Sequence, residues 1–142
     1  MIGGKKVKGR KRQILAETNG LLLRALVHAA DITDSEGGEW IIQEHHAEFP
    51  RLERIRVDQG YKDEFATWME AYTKITPEIV EKPANQQGFA VIPKRWVVER
   101  TIAWLCRNRR LSKEYERRPE SSESWIYLAS IHLMLKRLHP SD

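Results

Sequence analysis

Two apolar segments joined by Asn19 and Gly20 constrain the fold of this chain more than any other feature. Residues 13–18 (QILAET) precede the pair, and residues 21–29 (LLLRALVHA) follow it. Asn-Gly between apolar runs is the strongest local signal for a β-hairpin, because both turn positions favour positive φ. The second run is almost continuously apolar, so we expect its strand to be buried on both faces. The sequence therefore predicts an antiparallel hairpin within a sheet.

Length and composition are those of one globular domain in a reducing compartment. The chain has 142 residues, of which 41% are hydrophobic and 31% charged, and this composition excludes a disordered protein. Cys106 is the single cysteine, so no internal disulfide can form. No apolar run reaches membrane-spanning length, and the basic N-terminus lacks the apolar core of a signal peptide. We therefore expect a cytoplasmic protein without a membrane partner.

The remaining pattern alternates helices and strands, which indicates an α/β domain. Phe65, Trp68, Met69 and Tyr72 recur at helical spacing and are expected in the core, as is a final helix that is apolar on most sides. Residues 31–38 and 119–124 read as loops with capping residues. The predicted elements after the hairpin are a helix at 39–47, a strand at 54–57, helices at 62–73 and 93–105, a short strand at 78–80, and a helix at 125–138.

Two acidic residues stand out from this pattern. Asp58 follows a short alternating strand and precedes a turn, which is where α/β proteins often place functional groups. Glu99 lies on a helix with a wide apolar stripe, four residues after Arg95 and next to Arg100. The structural interpretations are a helix cap for Asp58 and an ion pair with Arg95 for Glu99. The functional interpretation is a carboxylate pair that holds magnesium or manganese for phosphoryl transfer.

Basic residues are clustered, although the formal net charge is only +4. Clustered positive charge favours phosphate backbones, and an embedded aromatic such as Tyr115 can add base stacking. Residues 1–12 are interpreted as a basic arm and residues 107–120 as a basic loop. A solvated tail and a solvated loop are the alternatives. The clusters are Lys5, Lys6, Lys8, Arg10, Lys11 and Arg12, and then Arg100, Arg107, Arg109, Arg110, Lys113, Arg117 and Arg118.

Six blocks of sequence, in matching order, resemble insertion-sequence transposases of the DDE class. The resemblance covers about residues 3–137, and the branch is that of the bacterial insertion-sequence families four and five. The blocks are residues 3–12 (GGKKVKGRKR), 18–22 (TNGLL), 27–31 (VHAAD), 57–61 (VDQGY), 95–101 (RWVVERT) and 109–116 (RRLSKEYE).

The resemblance implies an RNase H-like fold in which two Asp and one Glu bind two metal ions, Mg²⁺ or Mn²⁺, for DNA strand cleavage and strand transfer. By this resemblance Asp58 matches the second catalytic Asp, and Glu99 matches the Glu. Arg95 matches a family arginine that contacts DNA. The resemblance also implies a bacterial, nucleoid-associated location.

The chain departs from the family pattern in three places. The family's first Asp lies on a strand before the block that begins at Gly3, so we expect the first catalytic Asp and the first, central strand to be missing. Ile92 stands where the wider family signature has Tyr, and Cys106 stands where it has Lys. We therefore expect a domain that is N-terminally truncated and inactive alone.

Two functions from different classes remain open. The chain is either part of a DDE transposase, acting on element ends and target DNA, or a non-catalytic DNA-binding regulator or remnant of transposition. Full-length transposase and the product of an upstream reading frame are the candidate protein partners. A third alternative is an unrelated RNase H-like nuclease.

Overall fold

The computed structural model describes residues 1–7, 9–61, 63–80 and 97–140, apart from the side chains of residues 5–7. These residues form a mixed five-stranded sheet with the strand order β3-β2-β1-β4-β5. The β1–β2 and β2–β3 pairs are antiparallel, whereas β1–β4 and β4–β5 are parallel. The strands are β1 (Ile2–Val7), β2 (Arg10–Ala16), β3 (Leu22–Ala29), β4 (Arg54–Val57) and β5 (Thr76–Ile79).

The predicted hairpin is confirmed. β2 and β3 pair antiparallel, with Ile14 opposite Ala25. Gly20 in the connection has a φ of 89°, a left-handed conformation that glycine adopts at little cost. The Glu17 carboxylate accepts a hydrogen bond from the Leu21 backbone N–H at 3.0 Å, which satisfies a donor inside the turn.

The sequence predicted that residues 1–12 form a basic arm and that the central strand of the sheet is missing. The structure differs on both points. Residues Ile2–Val7 form β1, which lies between β2 and β4. Only Ile2 is in register with β4, opposite Val57, so the rest of β1 runs past the end of β4. Glycines weaken a strand because they lose more backbone entropy on folding than other residues and have no side chain to pack. Gly3 and Gly4 therefore favoured an arm in the sequence analysis.

Four α-helices flank the sheet among the described residues. Two of them begin earlier than predicted, since α1 starts at Asp34 and α4 at Pro119. At α1, Thr33 and Glu36 form a capping box in which each side chain accepts from the other's backbone N–H. At α4, Pro119 occupies the first turn, where its fixed φ is helical. The helices are α1 (Asp34–His45), α2 (Glu64–Tyr72), α3 (Val97–Cys106) and α4 (Pro119–Leu138).

The sheet separates two apolar cores, so the molecule has three layers. The helices α1 and α2 cover one face, where Ile41, Phe65 and Met69 pack on Leu15 and Val57. The helices α3 and α4 cover the other face, and the residues they contribute to that core are Val98, Leu105, Ile126 and Ala129. None of the helices that the structure describes is long and apolar enough to cross a membrane.

Two apolar stripes are less buried than the sequence suggested. On α2, Phe65 and Met69 are fully buried, but Tyr72 is 74% exposed. On α4, which we expected to pack into the core on most sides, the outward face carries several exposed apolar residues. Helical periodicity gives the width of an apolar stripe, but it does not show whether this chain covers the whole of it.

Candidate active site and nucleic-acid surface

Asp58 follows the last residue of β4, as the sequence predicted. Its Oδ1 accepts a hydrogen bond from the Gly60 N–H at 2.8 Å. The backbone N–H of Tyr61 donates to the Asp58 carbonyl at 3.2 Å, within the short 3-10 helix Gln59–Tyr61. The first bond fixes one oxygen of the half-buried carboxylate, and the second fixes the backbone of the turn. Asp58 is thereby held just beyond the carboxyl end of a parallel strand.

Glu99 lies in the first turn of α3 and is exposed. The neighbouring residues Val97 and Val98 are buried, and Val98 lies directly over Gly3 of β1. A Cβ on Gly3 would stand 2.7 Å from Val98 Cγ1, so only glycine permits this approach. Because Ile2 is level with Val57, Gly3 is level with Asp58. Val98 in the first turn of α3 thus packs on β1 at the level where β4 ends, and the next turn contacts the Asn19-Gly20 connection through Arg100 and Thr101.

A second carboxylate near Asp58 was missed by the sequence reasoning. The position that a Cβ on Gly60 would occupy lies 3.0 Å from Asp58 Oδ1 and 3.6 Å from Asp34 Oδ2. The other oxygen of Asp34 pairs with Lys11 Nζ at 2.9 Å. The sequence suggested a loop for residues 31–38, and the capping box around Thr33 was the available signal that Asp34 opens a helix beside the site.

Tyr61 lies beneath these acids and is 1% exposed. Its hydroxyl accepts a hydrogen bond from Gln13 Nε2 at 2.5 Å, and the same amide nitrogen donates to the Asp34 carbonyl at 3.0 Å. Burial raises the pKa of Tyr61 strongly, and the negative charges of Asp34 and Asp58 raise this pKa further. The phenol is therefore held neutral, and it contributes no charge to the site.

The donor chemistry at this edge suits a hard divalent cation, although the described residues hold few ligands. Carboxylate oxygens are the ligands that Mg²⁺ prefers, and it commonly uses one or two carboxylates together with phosphate oxygens of a substrate. No group of three or more His, Cys, Asp or Glu that could hold a metal is found in the part of the chain that the structure describes.

Arg10 and Arg12, which we expected in a DNA-binding arm, hold the segment of residues 107–118 onto the sheet. Arg12 is 5% exposed and donates to the carbonyls of Leu111 at 2.7 Å and Lys113 at 3.1 Å. Arg10 donates to the carbonyls of Glu116, at 2.9 Å, and Arg117. Both guanidinium groups also approach the buried Glu114 carboxylate, at 3.5 Å from Arg10 and 3.6 Å from Arg12. Strand pairing buries these charges, which composition alone could not show.

Two further expected DNA contacts also have structural partners. Arg100 donates to the Asn19 carbonyl at 2.7 Å, and its guanidinium lies 4.6 Å from the Trp104 ring centroid. Lys11 pairs with Asp34 and also donates to the Ile32 carbonyl at 2.8 Å. Arg95 and Lys8 lie outside the described residues, as do the side chains of Lys5 and Lys6, so the expected Arg95–Glu99 pair stays a prediction.

The remaining predicted basic residues form an exposed surface. Instead of a continuous loop, the segment contains the 3-10 helix Arg109–Leu111 and ends where α4 begins. Arg110 lies near Tyr115 and Trp125, at 5.9 and 5.6 Å from the ring centroids, and pairs with Glu116 at 2.5 Å. Arg109, Arg110 and Trp125 line an open cavity of about 160 Å³. The exposed basic residues are Arg107, Arg109, Arg110, Lys113, Arg117 and Arg118.

This basic surface packs on the face of the sheet that carries α3. Arg10 and Arg12 are level with Val7 and Lys5, on the part of β1 that extends beyond β4. The segment that they anchor therefore packs beyond the end of β4. This surface combines exposed cations with the exposed rings of Tyr115 and Trp125.

Comparison with known proteins gives this surface a family context. Residues 2–135 match the model of the family described as Transposase DDE domain. The chain belongs to this family. It is also 28% identical, over 143 aligned positions, to a Burkholderia cepacia protein named "Putative transposase for insertion sequence element IS402". That alignment covers 94% of this chain and 66% of the relative, so the chain spans just under two thirds of the relative's length. The resemblance to insertion-sequence transposases is thereby confirmed.

Replacement of Arg12 tests whether the basic segment is anchored from the sheet. We expect Arg12→Met to lower the free energy of unfolding by about 2–5 kcal/mol, because it removes one of the two cations beside the buried Glu114 carboxylate and leaves the carbonyls of Leu111 and Lys113 without their donor. Arg54→Met, at a side chain that is 72% exposed and paired with Glu78, should cost less than about 1 kcal/mol. Urea unfolding of the two variants measures the difference, and equal losses would refute a structural role for Arg12.

The neutral Tyr61 phenol predicts a loss of stability at high pH. Its folded-state pKa is raised above that of the unfolded chain, about 10. Its contribution is thus complete below that pH and is lost as the pH rises above it. The stability of the native chain relative to Tyr61→Phe should be constant up to about pH 10 and fall above it. Urea unfolding across this range tests the prediction, which fails if the difference does not change with pH.

Proposed function

We propose that this chain provides part of an RNase H-like DDE catalytic core for transposition of an insertion sequence. In this proposal it binds the DNA of element ends and targets and takes part in metal-dependent strand cleavage and strand transfer. Family membership supports the transposition role. The observation that supports the catalytic part is the packing of Val98, the residue before Glu99, on Gly3, which is level with Asp58.

In the proposed site Asp58 and Glu99 hold Mg²⁺ or Mn²⁺ together with a DNA phosphate. Glu99 lies on α3, and Asp58 lies directly after β4, where the Gly60 N–H already fixes one of its oxygens. A bound divalent ion supplies positive charge that activates the attacking oxygen and neutralises the leaving oxygen. The protein's own task is to keep two carboxylates at a fixed separation beside the scissile phosphate, with the neutral Tyr61 supporting the turn from below.

DNA binding is assigned to the exposed part of residues 107–118. Arg107, Arg109, Arg110 and Lys113 can contact phosphates, and Tyr115 offers a ring for stacking. Arg10, Lys11, Arg12 and Arg100 are omitted from this surface because their side chains are partly or fully buried against carbonyls or carboxylates of the protein, whereas Arg110 stays exposed beside Glu116. Arg95, Lys5, Lys6 and Lys8 stay in the proposal on the strength of the family resemblance alone.

We further propose that this polypeptide does not transpose DNA by itself. The resemblance assigns two of the family's three catalytic acids to described residues, Asp58 and Glu99, and two carboxylates hold two metal ions poorly. A full-length transposase or an upstream reading-frame product would then complete the site. The assay is joining of a labelled element end to target DNA in the presence of Mg²⁺. Joined product from the purified chain would refute this part of the proposal.

A non-catalytic DNA-binding regulator is the second candidate. It is favoured by the finding that the described residues contain no group of three metal-binding side chains. The two candidates share the basic surface, but they differ in whether Asp58 and Glu99 bind a cation. Metal binding therefore separates them without requiring an active enzyme.

Calorimetric titration with Mn²⁺ provides this separation. Loss of a residue that only hydrogen-bonds a metal ligand lowers metal affinity by about 10–100-fold. Loss of a ligand should cost at least as much, so Asp58→Asn and Glu99→Gln should each weaken Mn²⁺ binding by at least about tenfold. Glu70→Gln, at an exposed acid of α2, is the matched control and should leave binding unchanged. If all three variants bind Mn²⁺ like the native chain, the catalytic assignment is wrong and the regulator is favoured.

Fluorescence anisotropy with a duplex oligonucleotide tests the basic surface. The variant Arg109→Gln/Lys113→Gln should weaken binding and reduce the slope of log K against log salt by about 2, since two phosphate contacts are lost. The control Arg51→Gln/Lys74→Gln removes the same charge at exposed residues before β4 and β5. Equal effects of the two variants would mean that only net charge matters and that residues 107–118 are not the binding surface.

A further inference from the structure

Helix α4 packs on the sheet with only one of its faces. Ser122, Ile126, Ala129 and Ser130 are buried along this face. It is anchored to β3 by polar bonds, because the Ala25 N–H donates to the Tyr127 hydroxyl at 2.9 Å and the Val27 N–H donates to a Glu123 carboxylate oxygen at 2.8 Å. The orientation of the helix is therefore fixed, and so is the set of residues that it turns outward.

The outward face of α4 is a continuous apolar stripe. Its members recur at intervals of three and four residues, which places them on one side of a helix, opposite the buried face. Their exposed fractions are large for apolar side chains: Trp125 40%, Leu128 56%, Ile131 49%, Leu135 52% and Leu138 72%. These five residues are called the α4 stripe below.

The area of the α4 stripe is near the upper end of what a monomer usually exposes in one apolar patch. Five half-exposed large side chains present on the order of 500 Å² of apolar surface, near the upper end of the range for the largest patch on a monomer. Two such stripes in contact would bury on the order of 1,000 Å², which is the lower bound for a specific protein interface. The stripe is thus large enough for a second copy of itself.

The charges of α4 favour one direction of such a contact. Glu120 lies in its first turn and Lys136 lies in its last turn, whereas Glu123 binds β3 and Arg137 packs on the Trp104 ring at 4.4 Å. An antiparallel pair brings the acidic end of each helix towards the basic end of the other and also opposes the two helix dipoles favourably. Arg110, which lies near Trp125 at the acidic end, is already paired with Glu116 and adds little repulsion.

We propose that the α4 stripe is an interface between two copies of this chain, which pair antiparallel about a two-fold axis near Ile131. In this arrangement Leu128 of one copy faces Leu135 of the other, and Trp125 faces Leu138. The inference is independent of the catalytic assignment, because it uses no residue of the carboxylate edge.

Sedimentation velocity of the full chain tests the interface. The weight-average mass should rise with concentration from 16.6 kDa towards twice that value. Leu135→Glu should raise the dimer dissociation constant by at least about 30-fold, the effect of losing a central interface residue. Tyr72→Glu, which is a comparable change at the 74% exposed tyrosine of α2, should not alter it. Circular dichroism confirms that both variants are folded.

A native chain that stays monomeric at hundreds of micromolar would overturn the proposal and leave the stripe to a different partner. Equal weakening by Leu135→Glu and Tyr72→Glu would overturn it as well. Either outcome leaves the DNA- and metal-binding tests unaffected, so the two proposals fail separately.

Oxidative cross-linking tests the antiparallel direction. In a Cys106→Ala background, Leu128→Cys and Leu135→Cys are prepared as separate variants. Antiparallel pairing predicts a disulfide dimer only when the two variants are mixed, since a disulfide needs Cα atoms within about 7 Å. Efficient self-cross-linking of each single variant would indicate parallel pairing and contradict the proposed arrangement.

Discussion

The close contact between α3 and β1 determines the arrangement of the candidate active site. Gly3 has no side chain, and Val98 occupies the space that a Cβ would need. The first turn of α3 can therefore lie directly on the sheet, at the level where β4 ends and Asp58 begins. A larger residue at position 3 would force the first turn of α3 away from β1. Gly3 has a low strand propensity, but it allows α3 to approach β1 closely, and this packing offsets the loss.

A second constraint is the burial of positive charge beneath the basic surface. Arg10 and Arg12 bind four backbone carbonyls of the segment at residues 107–118, together with Glu114. Glu114 in turn accepts a hydrogen bond from the Ser122 hydroxyl at 3.0 Å, which links the segment to the start of α4. The exposed cations therefore lie on a rigid support. Among the predicted basic residues whose side chains the structure describes, four bind groups of the protein and six are exposed.

The sequence predicted those parts of the fold that depend on local chemistry. The Asn19-Gly20 turn, the alternating strand before Asp58 and the apolar face of α3 were recognised because their signals lie within a few residues. Strand β1 was missed because its place in the sheet depends on pairing with β2 and β4, which no local pattern encodes. The early starts of α1 and α4 were missed because capping residues were assigned to loops.

The site was predictable to a similar extent. Resemblance proposed Asp58 and Glu99 as metal ligands, and this assignment stays a prediction. Asp34 and the buried roles of Arg10 and Arg12 could not be predicted, because each depends on contacts between residues distant in sequence. The exposed α4 stripe was assigned to the core for the same reason, since periodicity reveals an apolar face but not its partner.

Paramagnetic broadening by Mn²⁺ tests most directly whether the end of β4 and the first turn of α3 form one metal-binding edge. In ¹H–¹⁵N spectra of the chain with substoichiometric Mn²⁺, the amide resonances of residues 58–60 and 98–100 should broaden together, and those of α2 should stay sharp. Broadening of only one of the two groups, or broadening centred on other acidic residues, would contradict the proposed site.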